Sequence, residues 1–163
     1  MLTYDVHQHL WPASFVSALR ARGTVPFVRD DELVTPEGAF GFDARAHDPE
    51  TRLALLDRDG IGVAVLSLQP TLGIEALPTG ERDHLEETWL AGMCELVAQS
   101  GGRFRALAPW RIAEGFTGVS VGASALIGSG RGADTLGEAD ANGTLVFVHP
   151  ESEGAVPAGR PAW

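Results

Sequence analysis

The chain has 163 residues, 44% apolar and 21% charged, a composition that fits one globular domain and excludes disordered and fibrous classes. Its formal net charge of −10, with twelve basic residues scattered singly, excludes a nucleic-acid surface, which needs clustered cations. No apolar run approaches the roughly 20 residues of a membrane helix, and the N-terminus lacks the basic and apolar regions of a signal peptide, so a cytoplasmic protein without a membrane partner is expected.

Leu2 to Val6 reads as a first strand that runs directly into His7-Gln8-His9. Side chains alternate along a strand, so Asp5, His7 and His9 are expected on one face, with Val6 and Gln8 on the other. "PASFVSALRARG" reads as a helix with Pro12 in its first turn, Phe15, Val16 and Leu19 on one face, and Gly23 at its end. Residues 24–47 carry a Pro-Glu-Gly turn between short apolar pieces, which predicts a small hairpin, a lid candidate, inserted after the first helix.

Asp48 is placed to cap a second helix with Pro49 at its first position, Leu53 and Leu56 inward, and Gly60 as its stop. "IGVAVLSLQP", 61–70, is nearly continuous in apolar residues, as expected of a parallel strand covered on both faces. Leu85, Trp89, Met93, Leu96 and Val97 fall at helical spacing in 80–100, and the lone Cys94 in that helix is expected to pack in the core. Three more strands follow at 104–110, 117–126 and 144–150, with a Gly-Ser-rich connection and a short helix around Ala133 to Ala141 before the last. Residues 151–163 read as a loop.

Strands alternating with helices predict βαβ units and a parallel sheet. An open doubly wound sheet fits the length, but its first turn would carry Gly-x-Gly-x-x-Gly, which is absent here. Polar residues at strand ends favour an α/β barrel of the (β/α)8 TIM type, which takes about 250 residues, so residues 1–163 read as a single domain holding its first five strands. Such a sheet has an unpaired apolar strand edge, and self-association into a homo-oligomer is expected.

Three blocks carry a family resemblance: "DVHQHLWP", "DPETRLALLDRDGIGVAVLSLQP" and "LVFVHP". Together they resemble the amidohydrolase superfamily, in particular the amidohydrolase-related group that contains aminocarboxymuconate-semialdehyde decarboxylase and aromatic acid decarboxylases. The resemblance covers the first half or so of that family's barrel. It implies that His7 and His9 on the first strand and His149 on the fifth bind one divalent metal, with zinc the expected ion. Neutral imidazoles suit zinc, and three protein ligands with an open position characterise catalytic zinc. Two-metal relatives bridge their ions with a carboxylated lysine; this chain contains no lysine, so one metal is implied. The family also carries a histidine on strand six and an aspartate on strand eight, which are not among these 163 residues, so the catalytic groups are expected beyond Trp163.

The activity implied is hydrolysis or decarboxylation of a small carboxylate-bearing substrate. Asp5 is a candidate for orienting a metal ligand from behind, or for bonding a neighbouring strand. Arg111, just after the third strand, is the candidate cation for the substrate carboxylate, and Trp11 and Trp110, past strand ends, are candidate aromatic walls. Each has a plainer reading. A His-x-His pair occurs as an ordinary surface feature, Arg111 as a loop arginine, and His47 and His84 read as solvated. A truncated homologue that only binds, or an open sheet binding a small molecule without metal, is the alternative to an enzyme.

Overall fold

The computed structural model describes residues 2–123 and 131–150. In chain order its elements are β1 (Tyr4–Gln8), α1 (Ala13–Arg20), β2 (Phe27–Arg29), β3 (Glu32–Thr35), β4 (Gly38–Gly41), α2 (Pro49–Arg58), β5 (Val63–Leu66), α3 (Thr79–Gln99), β6 (Phe104–Pro109), β7 (Gly118–Gly122), α4 (Arg131–Asn142) and β8 (Leu145–His149). Short 3-10 turns occupy Ala44–His47, Pro70–Leu72 and Ile74–Ala76. The tail 151–163 and the Gly-Ser-rich connection lie outside the described residues.

The apolar strands pair in parallel, in the order β1-β5-β6-β7-β8, as βαβ connectivity requires. In a flat sheet the outer two of five strands lie about 19 Å apart. Here His7 on β1 and His149 on β8 approach to 2.9 Å between their Nε2 atoms. The sheet is therefore curled into part of a barrel, with its two outer strands facing each other across the interior.

The helices cover the outside of the curl. Phe15, Val16 and Leu19 of α1 are buried, and α1 packs on α3, which presents Leu85, Trp89 and Met93 to the same core. Burial of one such side chain contributes about 1.5–3 kcal/mol. Asp48 caps α2 by accepting from the Thr51 amide at 2.7 Å, Pro49 opens the helix, and Leu56 is buried, all as the sequence predicts. The strand expected over 61–70 is shorter, because Pro70 opens a 3-10 turn; Ser67 and Leu68 remain buried beyond its end.

Two expectations are corrected. The insertion is a three-stranded antiparallel sheet, β2-β3-β4, and not a hairpin. Besides the turn at Pro36 and Glu37, the chain reverses at Asp30, which adopts φ 51, a left-handed conformation that aspartate tolerates. Cys94 is exposed, because it lies off the apolar face that Trp89 and Met93 define on α3.

Candidate metal centre

His7 lies within β1, His9 directly follows it, and His149 is the last residue of β8. Their three ring nitrogens lie within 4.8 Å of one another. The Nε2 of His149 is 2.9 Å from that of His7 and 3.2 Å from that of His9. Phe147, two residues earlier on β8, packs its ring 5.5 Å from His7. The sites that the sequence separates by 140 residues are thus joined by the curl of the sheet.

The other ring nitrogens decide what these contacts mean. Nδ1 of His9 donates to the Ser67 carbonyl at 2.9 Å, and Nδ1 of His149 donates to the Pro150 carbonyl at 2.7 Å. A carbonyl only accepts, so in the neutral rings both protons sit on Nδ1 and both Nε2 atoms carry lone pairs. Lone pairs 3.2 Å apart repel unless a cation lies between them. Two nitrogens on a tetrahedral zinc, each at about 2.0–2.1 Å, are about 3.3 Å apart. The three rings therefore form a donor set that could hold one divalent ion, and the two carbonyls set the tautomers of His9 and His149.

Burial lowers the His9 pKa to about 4, against the hydrogen bond to Ser67, which raises it; His149, His7 and Arg52 add to the lowering. The ring is accordingly neutral and free to ligate at pH 7.

β1 does not alternate strictly. Asp5 pairs with Ala64 and Gln8 with Leu66, so β1 holds one residue more than β5 between these pairs. This bulge brings Asp5 and Gln8 together: the Gln8 amide donates to the Asp5 carboxylate at 2.8 Å. The carboxylate also accepts from the His7 backbone amide at 3.1 Å. Asp5 thus holds the backbone beneath the histidines; among the described residues, neither the predicted bond to a histidine ring nor one to a neighbouring strand is its contact.

Trp11 is a core residue, 2% exposed, stacked on His47 and Phe42, and presents no wall to an open pocket. Trp110 is 8% exposed and donates its Nε1 to the buried Glu86 at 2.9 Å. It lines a cavity of about 40 Å³ with Leu68, Pro70, Glu75 and Ser120, room for water but not for an aromatic acid. Arg111 pairs through Nε with the same Glu86 while its side chain stays 42% exposed.

Neither a protein-family model nor a curated protein matches this chain. Solved structures do. The apo form of IDCase from Metarhizium anisopliae aligns with 91% of this chain and 50% of its own, at a TM-score of 0.67 and 16% identity. The chain has the fold of a partial (β/α)8 barrel. A probable 2-pyrone-4,6-dicarboxylic acid hydrolase from Acinetobacter baumannii, with citric acid bound, aligns with 91% of this chain and 49% of its own, at a TM-score of 0.52 and 15% identity. The chain spans about half the length of each. Among the described residues, no helix is long and apolar enough to cross a membrane.

His47 departs from the solvated position expected of it. It is half-buried rather than solvated: its Nδ1 accepts from the Trp11 amide at 3.1 Å, and its ring stacks on Trp11 and Phe42. Burial, then Arg52, lower its pKa to about 4, against Asp43, which raises it. His84, by contrast, is exposed as expected. A histidine at about 4 when folded and 6.5 when unfolded takes up its proton more readily in the unfolded chain. Stability is therefore full above pH 6.5 and is lost as the pH falls toward 4. With a chelator present, the urea midpoint is expected to fall between pH 7 and 4.5, and His47→Gln to flatten part of that fall; an equal slope in the variant would contradict the assignment.

Proposed function

We propose that this chain forms the metal-binding part of an amidohydrolase-type enzyme that decarboxylates or hydrolyses a small carboxylate-bearing substrate. The observation that carries this reading is the meeting of three imidazole nitrogens, from opposite edges of a curled sheet, with the tautomers of His9 and His149 set by backbone carbonyls. It is supported by the two solved structures, a decarboxylase and a dicarboxylic acid hydrolase of the same fold.

His7, His9 and His149 would hold one divalent ion, which we take to be zinc because three neutral imidazoles suit it. Once bound, that ion supplies Lewis acidity to a substrate oxygen or to water. The rest falls to the protein. Arg111, oriented through its Nε by Glu86, is the cation we assign to a substrate carboxylate; its exposed edge offers planar donors to a planar anion. Glu86 in turn fixes Trp110, so the arginine and the indole at the end of β6 are held by one buried carboxylate.

In a decarboxylation the bond from the ring carbon to the carboxylate breaks, its electron pair stays on carbon, and a proton takes its place. In a hydrolysis water adds across an ester or amide bond. A direct test titrates the zinc-loaded chain with aromatic and heteroaromatic carboxylic acids and cyclic ester dicarboxylates, measuring binding by calorimetry. Binding of one class that is lost in His149→Ala and weakened in Arg111→Met is the expected result. No binding of either class would overturn the enzymatic reading of this chain and leave a metal-binding module.

A further inference from the structure

Between the two histidines of the first strand stands Gln8, which no ligand role explains. Its side chain has two partners. Nε2 donates to the Asp5 carboxylate at 2.8 Å, and Oε1 accepts from Nη1 of Arg52 at 2.9 Å. The Asp5 carboxylate holds the His7 amide, and Nη2 of Arg52 donates to the Ala46 carbonyl at 2.8 Å and lies 3.5 Å from the His9 carbonyl. A continuous chain of bonds therefore runs from the backbone nitrogen of one ligand to the backbone oxygen of the other. It encloses the bulge of β1 and ties it to α2.

We infer that Asp5, Gln8 and Arg52 form a positioning relay that holds the β1 bulge in the one arrangement from which His7 and His9 both reach the metal. This rests on the metal-binding reading above. The physical reason is register. A bulge inserts one residue into the ladder, and without a support the strand can slip to regular pairing, which turns alternate side chains to the opposite face. In that register His7 and His9 still share a face, but the pair is turned away from His149. Gln8 suits the middle of the relay because an amide both donates and accepts, so it links an anion to a cation. Arg52 reaches three acceptors in two directions, which a single ammonium does not. Among the described residues its Nε has no hydrogen-bond partner, so its work lies in the two terminal nitrogens. Arg52, Gln8 and Asp5 stand outside the histidine group and act on it through its backbone, which makes them positioning residues.

The test compares zinc dissociation constants, measured on the whole chain by competition with a chromophoric chelator, with thermal unfolding of the metal-free protein. Arg52→Met and Gln8→Leu are each expected to weaken zinc binding about 10- to 100-fold, the range found for groups that orient metal ligands. Because they are links of one relay, the double variant should weaken binding no more than the stronger single one. Arg22→Met is the control: Arg22 also bonds backbone carbonyls and a carboxylate, but at Pro26, Val25 and Glu81, far along the chain from the histidines. It should lower the melting temperature and leave zinc affinity unchanged. The electronic spectrum of the cobalt(II)-substituted Gln8→Leu protein should change, which a loss of stability alone would not produce. If Arg52→Met and Gln8→Leu bind zinc as tightly as the unsubstituted chain, the relay is overturned while the metal reading stands. If the unsubstituted chain itself binds no zinc, both are overturned.

Discussion

Replacing His149 by alanine is expected to weaken zinc binding by at least about 100-fold, more than the 10- to 100-fold typical of losing a group behind a ligand. His149 is 7% exposed, its Nδ1 is committed to the Pro150 carbonyl, and its Nε2 is the atom nearest to both other histidines. It is also the histidine that arrives from the far edge of the sheet, so its loss leaves only the two from the first strand and its end. The same substitution removes ring contacts with His7 and Phe147, so some stability is lost as well. His84→Ala, on an exposed face of α3, separates the two effects because it should change neither. Equal zinc affinity in the His149 and His84 variants would contradict the assignment.

Gly118→Ala is expected to destabilise the protein by about 3 kcal/mol, a fall of roughly 6–12 °C in melting temperature for a chain of this size. Gly118 opens β7 opposite Leu145 of β8, where an added Cβ would lie 2.3 Å from the Leu145 carbonyl oxygen and 2.8 Å from its Cβ. The obstacle is backbone, which cannot rotate away as a side-chain tip would. Relief requires β8 to move off β7, and β8 carries His149 at its other end. Zinc affinity should therefore fall together with stability in this variant. Gly137→Ala, where nothing lies within 4 Å of the added atom, should do neither. An unchanged melting temperature in Gly118→Ala would mean that β7 and β8 are not paired in this register.

Much of this was legible in residue order. The capping aspartate at Asp48, the apolar face of α1 and the near-continuous apolar run of β5 each report a local rule, and each forms as that rule requires. The three histidines were legible as one group for another reason: His-x-His and a strand-ending His-Pro are local patterns, and a family resemblance joins them. What stayed hidden depends on contacts between distant residues. The β1 bulge exists only relative to β5, so strict alternation misassigned Gln8. Ser67 and Pro150 act through backbone carbonyls, which leave no mark in residue type. Trp11 past a strand end suggested a pocket wall, but the insertion brings Phe42 and His47 over it. Arg52 lay in the quoted family-like block, yet nothing in one sequence distinguishes an arginine that bonds a neighbouring strand end from one in solvent.

X-ray absorption at the zinc edge of the chain loaded with one equivalent of zinc decides whether three histidines from opposite edges of the curled sheet share one ion. The expected shell is three imidazole nitrogens at about 2.0–2.1 Å, falling to two in His149→Ala. A shell of oxygens, or one that His149→Ala leaves unchanged, would rule out a shared ion.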